Sequence, residues 1–169
     1  MVPPVPDHPP VAAPWWARES YGRRRPRLLA RGRMMAAIRG YFMAQGFVEV
    51  ETPALQVSPG MEVHLNAFEV RLEEPFAAGT RSLYLHTSPE FAMKKLLAAG
   101  EPKIFQFART YRNGERSATH HPEFTMLEWY RTHAGWRDTA EDCRAFTIAA
   151  LNAVPEEQRA KAGFAWRSE

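Results

Sequence analysis

One cysteine, Cys143, stands in a chain of 169 residues. A single thiol excludes an internal disulfide framework and fits a reducing compartment, so the cytoplasm is the expected location. No Cys/His spacing of the metal-binding kind occurs, and no metal site is expected within the chain. No apolar run approaches the ~20 residues that a membrane span needs. The proline-rich start, with Asp7 and His8, also lacks the hydrophobic segment of a signal peptide. Neither a membrane partner nor export is expected, and there is no internal repeat. What the chain does have is enough apolar material, 45% of residues with 12% aromatic, for one ordinary core.

Proline and arginine are unevenly spread. Half of the 14 prolines lie within the first 26 residues, and Arg18, Arg23, Arg24, Arg25, Arg27, Arg31 and Arg33 make the adjoining segment strongly basic. Residues 1–26 therefore read as a disordered Pro/Arg-rich arm. A basic arm can touch nucleic acid or an acidic protein, but a formal net charge of only +3 leaves a solvated leader as the plainer reading. The arginine run also resembles a mitochondrial transit peptide, except that prolines spoil the amphipathic helix such peptides need.

Beyond the arm, residues 27–152 read as one α+β domain, followed by a tail over 153–169. Leu28 to Gln45 carries Met34, Met35, Ile38, Tyr41 and Phe42 at helical spacing and stops at Gly46. Phe47 to Thr52 is rich in β-formers and closed by Pro53. Residues 56–82 alternate weakly and predict short strands joined by a hairpin or loop. Leu83 to His86 predicts a strand running into Thr87-Ser88-Pro89-Glu90, which opens a helix ended by Gly100, with Thr87 and Glu90 spaced as a capping box. Lys103 to Arg112 and the stretch from Phe124 predict two antiparallel strands with a long loop, Asn113 to His121, between them. Asp138 opens a last helix with Glu141 as its capping partner.

The run HHPEFTMLEWYR, His120 to Arg131, carries the chemistry. With a period of two, Phe124, Met126, Glu128 and Tyr130 share one face, which places an acid among apolar neighbours. Such an acid is either solvated at a sheet edge or needs a cationic partner. At the head of the same hairpin stand Arg112 and Phe124. A guanidinium grips phosphate oxygens and a ring stacks on a base, although Arg beside Phe on a hairpin is ordinarily surface packing.

These pieces resemble a known family. QGFVEVETP at 45–53 is similar to motif 1 of the class II aminoacyl-tRNA synthetases, and RTYRN followed by HHPEFTMLE is similar to their motif 2. TSPE at 87–90 and the PEFTMLE run resemble the lysyl-type enzymes. TSPEFAMKKLLAAG and PEFTMLEWYR resemble most of all the bacterial paralogues that ligate lysine or β-lysine to elongation factor P. The resemblance covers roughly Leu28 to Asp142. It implies a class II synthetase-like antiparallel sheet flanked by helices, with motifs 1 and 2 present and motif 3 absent.

For function, the resemblance implies an ATP-dependent ligase that forms a lysyl or β-lysyl adenylate and transfers it to a lysine of elongation factor P. Homodimerisation through motif 1 is implied as well. Motif 1 begins some 30 residues in, which leaves no room for the amino-terminal anticodon-binding barrel of a lysyl-tRNA synthetase, so tRNA is not the expected acceptor. Ser88 replaces the alanine usual in lysyl-tRNA synthetases, and Trp129-Tyr130-Arg131 follows Glu128 as in the ligase.

Residue by residue, Ser88, Pro89, Glu90, Glu128 and Tyr130 would meet the amino acid, a cation that needs anions. Arg112, the catalytic group, would hold the ATP α-phosphate, with Asn113, Gly114, Glu115, His120, His121 and Phe124 also at the nucleotide. The chain departs from the family at Arg112-Asn113-Gly114-Glu115, where the family reads Arg-Asn-Glu, and at His120-His121, where the lysyl enzymes read His-Asn. Motif 3, with its second arginine and the acidic Mg2+ ligands, does not precede Glu169. The chain therefore reads as the amino-terminal half of a longer domain, inactive alone. A tRNA-charging enzyme and a non-catalytic remnant are the other two readings.

Overall fold

The two strands flanking the long loop fold as a nine-residue antiparallel ladder. The computed structural model describes residues 13–76 and 79–161. In chain order they form α1 (Arg18–Ala44), β1 (Val48–Glu49), β2 (Leu55–Gln56), β3 (Phe68–Glu73) and β4 (Thr80–Leu85). These are followed by α2 (Glu90–Ala98), β5 (Lys103–Tyr111), β6 (Glu123–Arg131), α3 (Trp136–Asn152) and α4 (Glu156–Lys161). The chain divides into two compact units, one of residues 39–143 and one of residues 1–38 with 144–169.

The strands, all in the 39–143 unit, make two three-stranded sheets, β1-β5-β6 and β2-β4-β3. β5 and β6 are antiparallel, with Gln106 opposite Glu128 and Thr110 opposite Phe124. β3 and β4 form a hairpin whose second strand joins the end of the 56–82 stretch to the strand expected separately at Leu83–His86. The expected single antiparallel sheet is corrected in two respects: the strands divide between two sheets, and β1 runs parallel to β5, with Val48 beside Ile104. Alternation in a sequence reports faces and not strand direction. The long connection from β1 to β5 permits a parallel pairing that a hairpin does not.

The ladder separates two faces. On one, Phe105 and Trp129 are opposite each other, and the ring of Phe42 stacks on Phe105 at 4.9 Å while Phe47 meets Phe42 edge-on at 5.0 Å. Phe42 and Phe105 are fully buried. Helix α1 ends as Gly46 adopts φ +77, a backbone that side-chain-bearing residues rarely take. The chain then turns so that Phe47 joins the cluster. The other face carries Ile104, Gln106, Ala108 and Thr110 from β5, with Phe124, Met126, Glu128 and Tyr130 from β6, as the period of two requires.

Three boundaries differ from expectation. Helix α1 starts at Arg18 rather than Leu28, with Pro26 inside it, so the part of the arm from Arg18 on is helical. Arginine, leucine, alanine and methionine are strong helix formers, and their sum outweighs one proline whose missing N–H leaves a single carbonyl unpaired. The portion of the arm at residues 1–12 lies outside the described residues. Helix α3 begins at Trp136. Asp138 is therefore not the cap but the first-turn acid that reaches back, its Oδ2 accepting from Gly135 N at 2.8 Å. Within the expected tail, Glu156–Lys161 forms α4, and residues 162–169 lie outside the described residues.

Asp142, 2% exposed, fastens the end of the 39–143 unit. It accepts the Tyr41 hydroxyl at 2.7 Å and lies 3.3 Å from Arg131 Nε. Burial, then the hydrogen bond to Asp142, pushes the Tyr41 phenol from 10.0 up to about 12. A raised folded-state value means that the protonated phenol stabilises the fold fully below pH 10 and loses that contribution as pH rises from 10 through about 12. Denaturation midpoints of the wild type should therefore fall across that alkaline window more steeply than those of Tyr41→Phe, which has no phenol to ionise.

Candidate active site

Glu128 lies at the centre of the polar face. Its Oε2 accepts from Ser88 Oγ at 2.9 Å, and its Oε1 accepts from the Tyr130 hydroxyl. Among the described residues no cation lies within ion-pair distance of it. Ser88 also accepts from Glu90 N at 3.1 Å, which orients the serine hydrogen toward the carboxylate. The Tyr130 phenol is held well above its ordinary range, first by burial, then by the hydrogen bond to Glu128 and the charges of Glu128 and Glu90. It stays a donor across the physiological range. A half-buried carboxylate is thus held by two neutral donors and carries an unneutralised charge.

The start of α2 is built differently from the capping box the sequence suggests. Thr87 Oγ1 donates to Pro59 O at 3.0 Å instead, and Pro89, in the N-cap position, makes no side-chain cap bond. Glu90 Oε1 pairs with Lys94 Nζ at 2.5 Å, one helical turn on. Glu90 thus carries a cation of its own, although its charge is felt by Tyr130.

Arg112 leaves β5 at the head of the hairpin. Its N–H donates to Pro122 O at 2.9 Å, which closes the ladder, and its Nε donates to Thr87 O at 3.3 Å. The guanidinium carbon stands 5.2 Å from the centre of the Phe124 ring. One edge of the guanidinium is thus fixed by the backbone before α2. Its Nη1 lies 3.9 Å from Glu115 Oε1, a loose and partly solvated pairing.

Gly114 adopts φ +83, a conformation costly for glutamate, so the acid of this loop is carried one residue later. Asn113 N donates to Asn66 O at 2.7 Å, tying the loop to the segment before β3. The two loop imidazoles are tied within the loop. His120 Nδ1 lies 3.0 Å from Ser117 Oγ and 3.1 Å from Thr119 Oγ1, while His121 Nδ1 lies 3.2 Å from Glu123 N and 2.8 Å from its carbonyl oxygen. Both are exposed.

Sequence reasoning overlooked Gln106. It sits directly across the ladder from Glu128, and its Oε1 accepts from Thr52 Oγ1 at 2.9 Å and from Thr52 N at 3.3 Å. That fixes the floor beside the acid and leaves the amide nitrogen as a further donor. Pairing the two strands from Arg112 and Pro122 inward would have found it. Among the described residues no three His, Cys, Asp or Glu side chains cluster as a metal site, and no helix is long and apolar enough to cross a membrane.

A half-buried acid on one strand of an antiparallel hairpin, with a guanidinium and an aromatic ring together at the hairpin's head, agrees with comparison to known proteins. Residues 19–163 match the family of tRNA synthetases class II (D, K and N). The chain belongs to this family. Within it, this class II synthetase relative is 52% identical to the elongation factor P–(R)-beta-lysine ligase of Haemophilus ducreyi over 106 residues, 63% of this chain and 32% of that protein. Proteins of the same name from Histophilus somni and Erwinia tasmaniensis are 49% and 52% identical over 106 residues, 63% of this chain and 33% of each of them. The class II chain thus spans about a third of the length of the curated relatives it matches. The segment Leu28 to Asp142, on which the family resemblance rests, lies inside the matched residues.

Proposed function

We propose that the chain is the amino-acid and nucleotide face of an enzyme that activates lysine or β-lysine with ATP and passes it to a lysine side chain of elongation factor P. The observation that carries this reading is Glu128, a carboxylate held by Ser88 and Tyr130 with no cation at ion-pair distance among the described residues. A desolvated ammonium needs such a partner, and a half-buried acid needs such a cation. Glu90 adds a second negative charge, moderated by Lys94. The names of the most similar relatives supply the substrate and the acceptor.

Arg112 meets the α-phosphate with its free edge, and Phe124 offers the ring on which adenine stacks. The amino-acid carboxylate attacks the α-phosphorus, the bond to the β-phosphate breaks, and pyrophosphate leaves. Arg112 neutralises charge that grows on the phosphoryl oxygens. An ε-amine of elongation factor P then attacks the adenylate carbonyl, loses its proton and displaces AMP. Asn113, Gly114 and Glu115 shape the loop over the nucleotide, and His120 and His121 stand at its rim. ATP chemistry of this kind uses Mg2+. The described residues do not fit such an ion, so no step here passes through it. A homodimer built through residues 45–53 is part of the same reading.

The test is transfer. A full-length enzyme containing this chain is incubated with ATP, elongation factor P and either lysine or (R)-β-lysine, and the acceptor is weighed intact. One added aminoacyl group on elongation factor P is the expected result. Charged tRNA with unmodified elongation factor P would overturn the assignment of acceptor.

A further inference from the structure

The amino-terminal half of α1 takes no part in the site above, yet it carries the densest run of arginines in the sequence. Arg18, Arg23, Arg24, Arg25, Arg27 and Arg33 are all exposed. The acid within the turn, Glu19, pairs with Arg23 through side chains that are 87% and 66% exposed, a contact that water and salt weaken readily. At 100° per residue, Arg23, Arg27 and Arg24 fall within one 100° arc of the helix, and Arg23 and Arg27 are separated by about 6 Å of rise.

Two tryptophans accompany them. Trp15 and Trp16, each 66% exposed, stand edge to face with centroids 5.5 Å apart. Arg24 ties them to the helix. Its guanidinium carbon lies 5.7 Å from the Trp15 ring centre, and its Nη1 donates to Trp15 O at 3.4 Å. With these contacts made, each indole still keeps about two thirds of its surface exposed.

We propose that this surface binds single-stranded nucleic acid, with bases stacking on Trp15 and Trp16 and the backbone phosphates following Arg23, Arg24 and Arg27. Exposed flat rings beside a row of guanidinium groups are what a strand of unpaired bases requires, because every base has a face to stack and every nucleotide a charge to neutralise. An acidic protein would use the arginines but has no need of two open indole rings. An anionic membrane needs a continuous apolar face, and the turn between Tyr21 and Leu28 is filled by Arg24 and Arg25. The proposal concerns binding and stands independently of the acceptor assigned above.

The test is fluorescence anisotropy of a labelled oligouridylate of about 20 nucleotides against the whole 169-residue chain over a salt series. Circular dichroism confirms that each variant keeps its helix. The triple variant R23Q/R24Q/R27Q should bind at least about tenfold more weakly at low salt, with a log–log salt slope shallower by about 2, since each lost phosphate contact removes about 0.7. W15A/W16A should weaken binding about tenfold at every salt concentration with the slope unchanged. Equal binding by wild type and both variants would overturn the proposal. So would displacement of the oligonucleotide by polyglutamate at equal charge, which marks an acidic-protein surface, or tighter binding to phosphatidylglycerol vesicles.

Discussion

Arg112→Lys in a full-length enzyme should lower the rate of ATP–pyrophosphate exchange by about 100- to 1,000-fold, the usual loss when one preorganised donor to a developing charge is removed. Lysine keeps the positive charge, so a site that needed only charge would tolerate it. The structure argues otherwise. One edge of the guanidinium is spent on Thr87 O at 3.3 Å and its carbon stands 5.2 Å from the centre of the Phe124 ring. A planar fork can hold that anchor and still present a second edge to phosphate, whereas an ammonium is a single point with no plane to align. The loss should appear in kcat as well as in the KM for ATP. Pyrophosphate exchange under saturating lysine checks it.

Glu128→Gln is the second large effect. The amide keeps the size of the side chain and its acceptor oxygen, so the Ser88 and Tyr130 hydroxyls retain one partner between them, but the charge is gone. Removing one member of a desolvated ion pair costs about 2–5 kcal/mol. At 1.4 kcal/mol for each tenfold, that is a fall of about 30- to 4,000-fold in kcat/KM for the amino acid. Glu90→Gln should have a smaller effect, because Lys94 already pairs with that carboxylate at 2.5 Å and the pair is substantially exposed.

Local patterns told most about the strands and least about what joins them. The alternation in PEFTMLEWYR places Glu128 and Tyr130 on the face opposite Trp129, and β6 keeps that parity over its length. Neither the parallel pairing of β1 nor the hold of Asn66 on Asn113 is written in any short run of residues, because each joins segments far apart in the chain. At the start of α2 the spacing of Thr87 and Glu90 fits a capping box, but other partners take both side chains: Pro59 O, distant in sequence, receives the threonine hydroxyl, and Lys94, one turn on in the same helix, takes the glutamate. The arginine segment misled for another reason. Its prolines and charge suggest an open chain, whereas the helix-forming residues around Pro26 carry α1 back to Arg18.

Glycine at 114 shows how a departure from a family pattern can have a local physical cause. The turn there uses φ +83, and the acid that follows, Glu115, is the one that comes within 3.9 Å of Arg112. The position of the carboxylate follows from the backbone of the loop. His120 and His121 illustrate the converse. Their side chains are engaged by Ser117, Thr119 and the Glu123 backbone, so reaching a nucleotide requires those contacts to open.

The central role is that of Glu128 toward a cationic amino acid. Pyrophosphate exchange by a full-length enzyme and its Glu128→Gln variant, measured over lysine or β-lysine concentration at fixed ATP and again over ATP concentration at fixed amino acid, addresses that directly. The account predicts that kcat/KM for the amino acid falls at least about 30-fold while the KM for ATP changes little. Amino-acid activation that continues undiminished in the variant would contradict it.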